Sequence, residues 1–170
     1  LKALGFAAPS IEYKDGYLLY EYVGNMDLAD LYGAQQDLLR NKDVVLRLVY
    51  LLGEAAAAAY IIGLADRSPD NLRVELKGNM PSRIYNIDFT SAFTKETGGI
   101  EEQAHILKGL INALKEINSP YTKEAKAQYI YSIVNILKEL KEGRSLEKKH
   151  NEMNKKEEVF KRINNTEPML

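Results

Sequence analysis

Gly63-Leu64-Ala65-Asp66-Arg67-Ser68-Pro69-Asp70-Asn71 leads out of the end of the most apolar segment of the chain. That segment, Leu48 to Leu64, holds five consecutive alanines and a single charged side chain, Glu54. An ionised carboxylate at mid-bilayer would cost several kcal/mol, so the segment reads as a buried core helix and not as a membrane span. Asp43 is positioned to cap it, and the helix is expected to run through Val44 and Leu48 to about Ile62. Being apolar on nearly every face, it is expected to be the central helix of the fold. Gly63 lies near its end, and Pro69 stops regular helix from continuing. Asp66 to Asn71 is therefore a polar turn at the end of the most buried element. Taken alone it contains only what polar turns select.

On the downstream side the pattern switches from helical to alternating. Leu72 to Leu76 and Arg83 to Ile87 read as two strands with a turn over Lys77 to Pro81, and the second strand leads into Asp88-Phe89. On the upstream side, Ile11-Glu12-Tyr13 and Tyr17-Leu18-Leu19-Tyr20 flank Lys14-Asp15-Gly16, a hairpin with an Asp-Gly turn. Gly24-Asn25 breaks the strand character, and Asp27 to Leu39 reads as a helix. After residue 100 the chain is helical, with one stripe at Leu107, Leu110, Ile111 and Leu114. A second stripe runs through Ile130, Ile133, Val134, Leu137 and Leu140, and Gly143 is expected to end it. The Lys- and Glu-rich stretch from Ser145 to Asn164 reads as a solvated helix face. Most of the eleven tyrosines are expected in the core or half-buried. The predicted class is α+β, mainly helical, with two hairpins.

Composition narrows the chemistry. The chain has 170 residues, 45% hydrophobic and 28% charged, which suffices for one domain with a real core. Its 23 basic and 24 acidic side chains leave a net charge of −1, so no global field draws it to nucleic acid or an anionic membrane. A local basic patch is still compatible with that balance. The absence of cysteine excludes disulfides, thiolate metal sites and cysteine nucleophiles. The two histidines, His105 and His150, lack partners at metal-ligand spacing, which argues against zinc and histidine triads. The chain opens at Leu1 without a signal-peptide pattern. It reads as a piece of a longer, cytoplasmic protein with no transmembrane segment and no nucleic-acid partner.

Phosphoryl transfer from a nucleoside triphosphate needs divalent metal held by hard oxygen ligands, and a further carboxylate beside the attacking hydroxyl. An Asp, an Asn five positions later and an Asp on the adjacent hairpin exit supply those groups. Asp66-x-x-x-x-Asn71 followed by Ile87-Asp88-Phe89, with Ala92-Phe93 beyond, resembles the catalytic and metal loops of the protein-kinase-like superfamily. Its wording is most similar to the phosphatidylinositol 3-/4-kinase-like branch. Leu18-Leu19-Tyr20-Glu21-Tyr22-Val23-Gly24 resembles the last amino-terminal-lobe strand and hinge of such proteins.

The resemblance implies an ATP- and Mg²⁺- (or Mn²⁺-) dependent phosphotransferase. Residues 1–24 would end the amino-terminal lobe and form the hinge, 25–143 would be the helical lobe, and 144–170 a polar helix and tail. It implies Asp66 and Arg67 as catalytic residues and Asn71 and Asp88 as metal ligands. The backbone of Glu21 and Val23 would meet the adenine edge, and Asp27 would reach the ribose. The acceptor would be a hydroxyl of a lipid, a small molecule or a protein. A glycine-rich phosphate loop and a strand lysine would come from a missing upstream segment or a complementary chain. Two departures stand out: Ser68 where lipid kinases carry histidine, and Thr90 where Asp-Phe-Gly has glycine. Two alternatives are a catalytically inactive pseudokinase-like binding module and a nucleotidyl transferase on the same fold.

Overall fold

The structure, a computed structural model, describes residues 1, 5–64, 67–88 and 104–142, leaving out the side chains of Leu18 and Tyr20. Asp15 and Gly16 both adopt positive φ, 52° and 85°, as a two-residue hairpin turn requires. They join β1 (Ile11–Lys14) to β2 (Tyr17–Tyr20) as an antiparallel pair, as the sequence predicts. Gly24 then turns the chain at φ 75°, and a Cβ there would lie 2.9 Å from the Val74 carbonyl oxygen. Only glycine allows that approach. It lets the short strand β3 (Met26–Asp27), which the sequence reading missed, pair with the next hairpin.

The helix expected over Asp27 to Leu39 is split. Helix α1 spans Leu28–Ala34, Gln35 leaves helical geometry at φ −119° and ψ 35°, and Leu38 and Leu39 lie in a 3₁₀ turn over Gln36–Arg40. Helix α2 spans Lys42–Ile61, and its cap is Asn41, not Asp43. Asn41 is extended, and its Oδ1 accepts from the amides of Asp43 and Val44, at 2.9 and 3.4 Å, which puts Asp43 inside the first turn. At the other end Gly63 (φ 65°) donates to the Tyr60 carbonyl and Leu64 to the Ala59 carbonyl, a Schellman ending. Lys42–Ile61 is long and apolar enough to cross a membrane, but 72% of its most apolar window is buried within the fold.

Strands β4 (Leu72–Lys77) and β5 (Met80–Asn86) complete a three-stranded antiparallel sheet in the order β3-β4-β5. Their turn is only Gly78-Asn79, tighter than Lys77 to Pro81, because Gly78 takes φ 61° and Pro81 already pairs with Leu76. Pro81 is tolerated since β5 is an edge strand. Helix α3 is Ala104–Glu116 and α4 is Thr122–Lys141. One core joins them: Leu28 and Leu31 of α1, Leu48 and Leu52 of α2, Leu72 and Val74 of β4, and Leu110 and Leu114 of α3.

Helix α4 contradicts part of the expected stripe. Ile133 is buried, but Ile130 and Val134 are 62% and 58% exposed, and Tyr129, Ser132 and Ile136 face inward in their place. The cause is a close helix crossing, where a Cβ on Gly53 would lie 2.5 Å from the Ser132 Cβ. That contact rotates the small residue inward and the two β-branched ones outward. The tyrosines divide likewise: Tyr32, Tyr85 and Tyr129 are buried, whereas Tyr13, Tyr17, Tyr22, Tyr60 and Tyr131 are exposed. Gly143 and the stretch from Ser145 to Asn164 lie outside the described residues.

Candidate functional site

The β4–β5 hairpin fixes the distance between the two metal-ligand candidates. Leu72 pairs with Asn86, so Asn71 and Ile87 come opposite each other, and the Ile87 amide donates to the Asn71 carbonyl at 3.0 Å. Asp88 follows at once. Asn71 itself closes a 3₁₀ turn over Pro69–Asn71, its amide donating to the Ser68 carbonyl at 3.1 Å. The structure therefore brings Asn71 and Asp88 to the open end of one hairpin.

Arg67 locks that end. It is only 2% exposed, and its guanidinium donates from Nη1 to the Ile87 carbonyl and from Nη2 to the Asp88 carbonyl, both at 2.9 Å. A buried guanidinium is costly unless its fork is satisfied. Here the fork ties the turn before β4 to the segment after β5. Asp88 is exposed and sits at φ 57°, a left-handed conformation that Asp tolerates better than most residues. Asp66, Phe89, Thr90, Ala92 and Phe93 lie outside the described residues.

Asn86 is a site residue that sequence reasoning missed. It is 1% exposed, its Nδ2 donates to the Ala55 carbonyl of α2 at 3.0 Å, and its Oδ1 has no hydrogen-bond partner among the described residues. It pins the exit of β5 to the central helix. The available signal was an amide directly after Ile84-Tyr85 at the end of the strand. On the other side, Tyr32 packs beneath Pro69, both within 3.1 Å of where a Gly109 Cβ would stand. Burial, then the neighbouring Tyr129, pushes the Tyr32 hydroxyl well above the usual tyrosine range.

The hinge candidates form a second group. The Glu21 amide donates to the Ser10 carbonyl, and Glu21 Oε2 accepts from the Ser10 amide, both at 2.9 Å. Val23 has a buried side chain, and its carbonyl accepts from Arg73 Nε at 2.7 Å. Asp27 Oδ1 pairs with Arg73 Nη1 at 2.8 Å. Arg73 Nη2 donates to the Tyr22 hydroxyl at 2.6 Å, with the guanidinium 4.4 Å from that ring's centroid. Arg73 is the second residue the sequence reading missed. Its position, a cation between the buried Leu72 and Val74, puts it on the opposite strand face, where it can reach the segment from Tyr22 to Asp27. Asn25 adds two more links to β4: its amide donates to the Val74 carbonyl at 2.7 Å, and its Oδ1 accepts from the Leu76 amide.

Strand β4 thus joins the two groups, with Asn71 at its threshold and Arg73 two residues along. Among the described residues no three His, Cys, Asp or Glu side chains converge. The donors present are the Asn71 amide and the Asp88 carboxylate, both hard oxygen ligands of the kind Mg²⁺ prefers. The arrangement places the backbones of Asn71 and Asp88 together at one end of β4, with a tethered backbone segment beside it. No protein-family model matches the chain, and no curated protein matches it.

Proposed function

We propose that this chain is the hinge and carboxy-terminal lobe of an ATP- and divalent-metal-dependent kinase-like phosphotransferase that acts on a hydroxyl. The observation carrying the reading is the junction at the end of the β4–β5 hairpin, where the Ile87 amide bonds the Asn71 carbonyl and Arg67 clamps the carbonyls of Ile87 and Asp88. In this reading Asn71 and Asp88 hold Mg²⁺ or Mn²⁺, which when bound neutralises the charge of the transferring phosphate. Asp66 orients the acceptor hydroxyl and takes up its proton. Arg67 acts through backbone geometry, since its guanidinium donates to two backbone carbonyls. The order of elements also supports the reading. A hairpin, a tethered segment, a short helix, a buried helix, a polar turn and a second hairpin precede the two carboxy-terminal helices. The glycine-rich loop and strand lysine that the reaction needs would come from an upstream segment or a complementary chain.

One observation favours a second reading, a pseudokinase-like binding module. Arg73 engages the Val23 carbonyl and the Asp27 carboxylate, two groups assigned to nucleotide contact. The discriminating experiment is calorimetry of the full-length protein with ATP and Mg²⁺, followed by γ-phosphate transfer with Asp88→Ala alongside. Binding and transfer that vanish in the variant support the enzyme. Nucleotide binding without turnover supports the module, and turnover that Asp88→Ala leaves unchanged removes the mechanism. Mass spectrometry of the product separates phosphate from AMP transfer.

A further inference from the structure

Among the described residues nothing covers the outer face of α4, which carries a distinct chemistry. Ile130, Tyr131 and Val134 are 62%, 62% and 58% exposed there. At 3.6 residues per turn, Lys123, Ile130, Val134 and Lys141 fall within about 40° of one another around the axis, in a stripe about 27 Å long. Lys126 and Lys138 flank it, and all four lysines are exposed. Of the acidic residues of α4, Glu124, about 20° around the axis from Tyr131, pairs with Lys42 at 3.1 Å, and Glu139 acts on Tyr50, on the α2 side of the helix. The face is therefore apolar at its centre and basic at both ends, although the whole chain carries a net charge of only −1.

We propose that this face docks on an anionic lipid bilayer, α4 lying in the plane of the interface with Ile130, Tyr131 and Val134 inserted. Tyrosine suits the headgroup level, and lysines at the rim reach anionic headgroups while their stems cover apolar surface. A second copy of the chain is disfavoured, because antiparallel pairing sets Lys123 and Lys126 against Lys138 and Lys141, and parallel pairing sets like on like. Residues 143–170 hold seven Lys and Arg against five Asp and Glu, so the chain's own carboxy-terminal stretch has the wrong sign to cover it. Three exposed side chains fall well short of the roughly 800 Å² per partner that a stable protein interface needs. A bilayer needs only a few inserted side chains with basic support. The inference is independent of the phosphotransferase reading.

The test is co-sedimentation of the full-length protein with phosphatidylcholine vesicles, with and without about 30% phosphatidylserine. The bound fraction should be at least about five-fold higher on the anionic vesicles at low salt and fall to the neutral level near 0.5 M salt. Ile130→Glu and Val134→Glu should abolish it, and the four lysines changed to Gln should lower it several-fold. Lys77→Gln with Lys108→Gln, exposed elsewhere, should leave it unchanged. Circular dichroism melts should match wild type for all variants, since every altered side chain is exposed. Equal binding to neutral vesicles, retained binding in Val134→Glu, or no anionic binding overturns the proposal. So does a concentration-dependent dimer lost in Ile130→Glu without vesicle binding.

Discussion

Arg67 donates to the backbone carbonyl of Asp88 at 2.9 Å across 21 residues of sequence, and its second Nη reaches Ile87 at the same distance. The guanidinium thus sets the backbone of Asp88 while leaving the carboxylate exposed. Arg67→Met should fill the space but leave the Ile87 and Asp88 carbonyls without the guanidinium's hydrogen bonds, a loss of about 2–4 kcal/mol. Urea denaturation checks the stability. In the phosphotransferase reading, metal affinity should fall with it, and Arg67→Lys should recover only part, because a point-like ammonium cannot span both carbonyls.

Arg73 should behave differently, because it restrains a segment at the surface of the fold. Arg73→Ala removes hydrogen bonds to Val23, Asp27 and Tyr22 together with the ring contact. The expected global loss is about 1–3 kcal/mol. The sharper readout is local: the Asn25 and Leu76 amides, both bonded across the same junction, should exchange with solvent faster by at least about ten-fold. Unaltered exchange at those two amides would show that Asn25 and the β3–β4 pairing hold the segment to β4 without Arg73.

Gly53→Ala improves helix propensity yet should destabilise. The added Cβ meets the Ser132 Cβ at 2.5 Å, so α2 and α4 must separate. The expected cost is about 1–3 kcal/mol, net of a gain near 1 kcal/mol from propensity. Ser132→Gly should relieve the clash in the double variant, and the two changes should couple in a double-mutant cycle. Simple additivity would mean that the helices do not touch at this point.

Alkaline stability follows from the buried tyrosines. Burial raises the hydroxyl pKa of Tyr129, and burial with Tyr129 nearby raises that of Tyr32. Above about pH 10 the unfolded chain releases these protons while the folded chain keeps them. Their contribution is complete below pH 10 and declines as pH rises from there toward the folded-state values. Thermal melts between pH 8 and 11 should therefore show a falling midpoint above 10. Tyr129→Phe should flatten the decline, because it removes one of the protons at issue.

The parts of this fold that were legible in the sequence depend on local chemistry. The Asp15-Gly16 turn, the apolar run that became α2, and the Gly63 ending follow from residue types at adjacent positions. The outward rotation of Ile130 depends on a contact distant in sequence, Gly53 against Ser132, whereas the Asn41 cap is local and was displaced from Asp43 by only two residues. The candidate site divides the same way. Asn71 and Asp88 could be found by spacing, since a hairpin brings its two ends together. Arg73 and Asn86 could not, because the groups they engage, Val23, Asp27 and Ala55, lie 31 to 50 residues away.

Asp88 offers a substitution in which stability and function should move in opposite directions. It holds φ 57°, a region glycine occupies without penalty and other residues at about 1–2 kcal/mol. Asp88→Gly should thus leave the fold unchanged or stabilise it by up to about 1 kcal/mol, provided the Arg67 hydrogen bond to its carbonyl persists. A metal role requires the carboxylate, so Mg²⁺ affinity should fall by at least about ten-fold in the same variant. Asp88→Asn separates charge from geometry, since it keeps the shape and much of the left-handed tolerance. Chemical denaturation with Mg²⁺ titration on all three proteins reads both quantities. A variant that loses stability and metal together would make Asp88 structural. One that loses neither would leave the strained backbone at this position without a functional explanation.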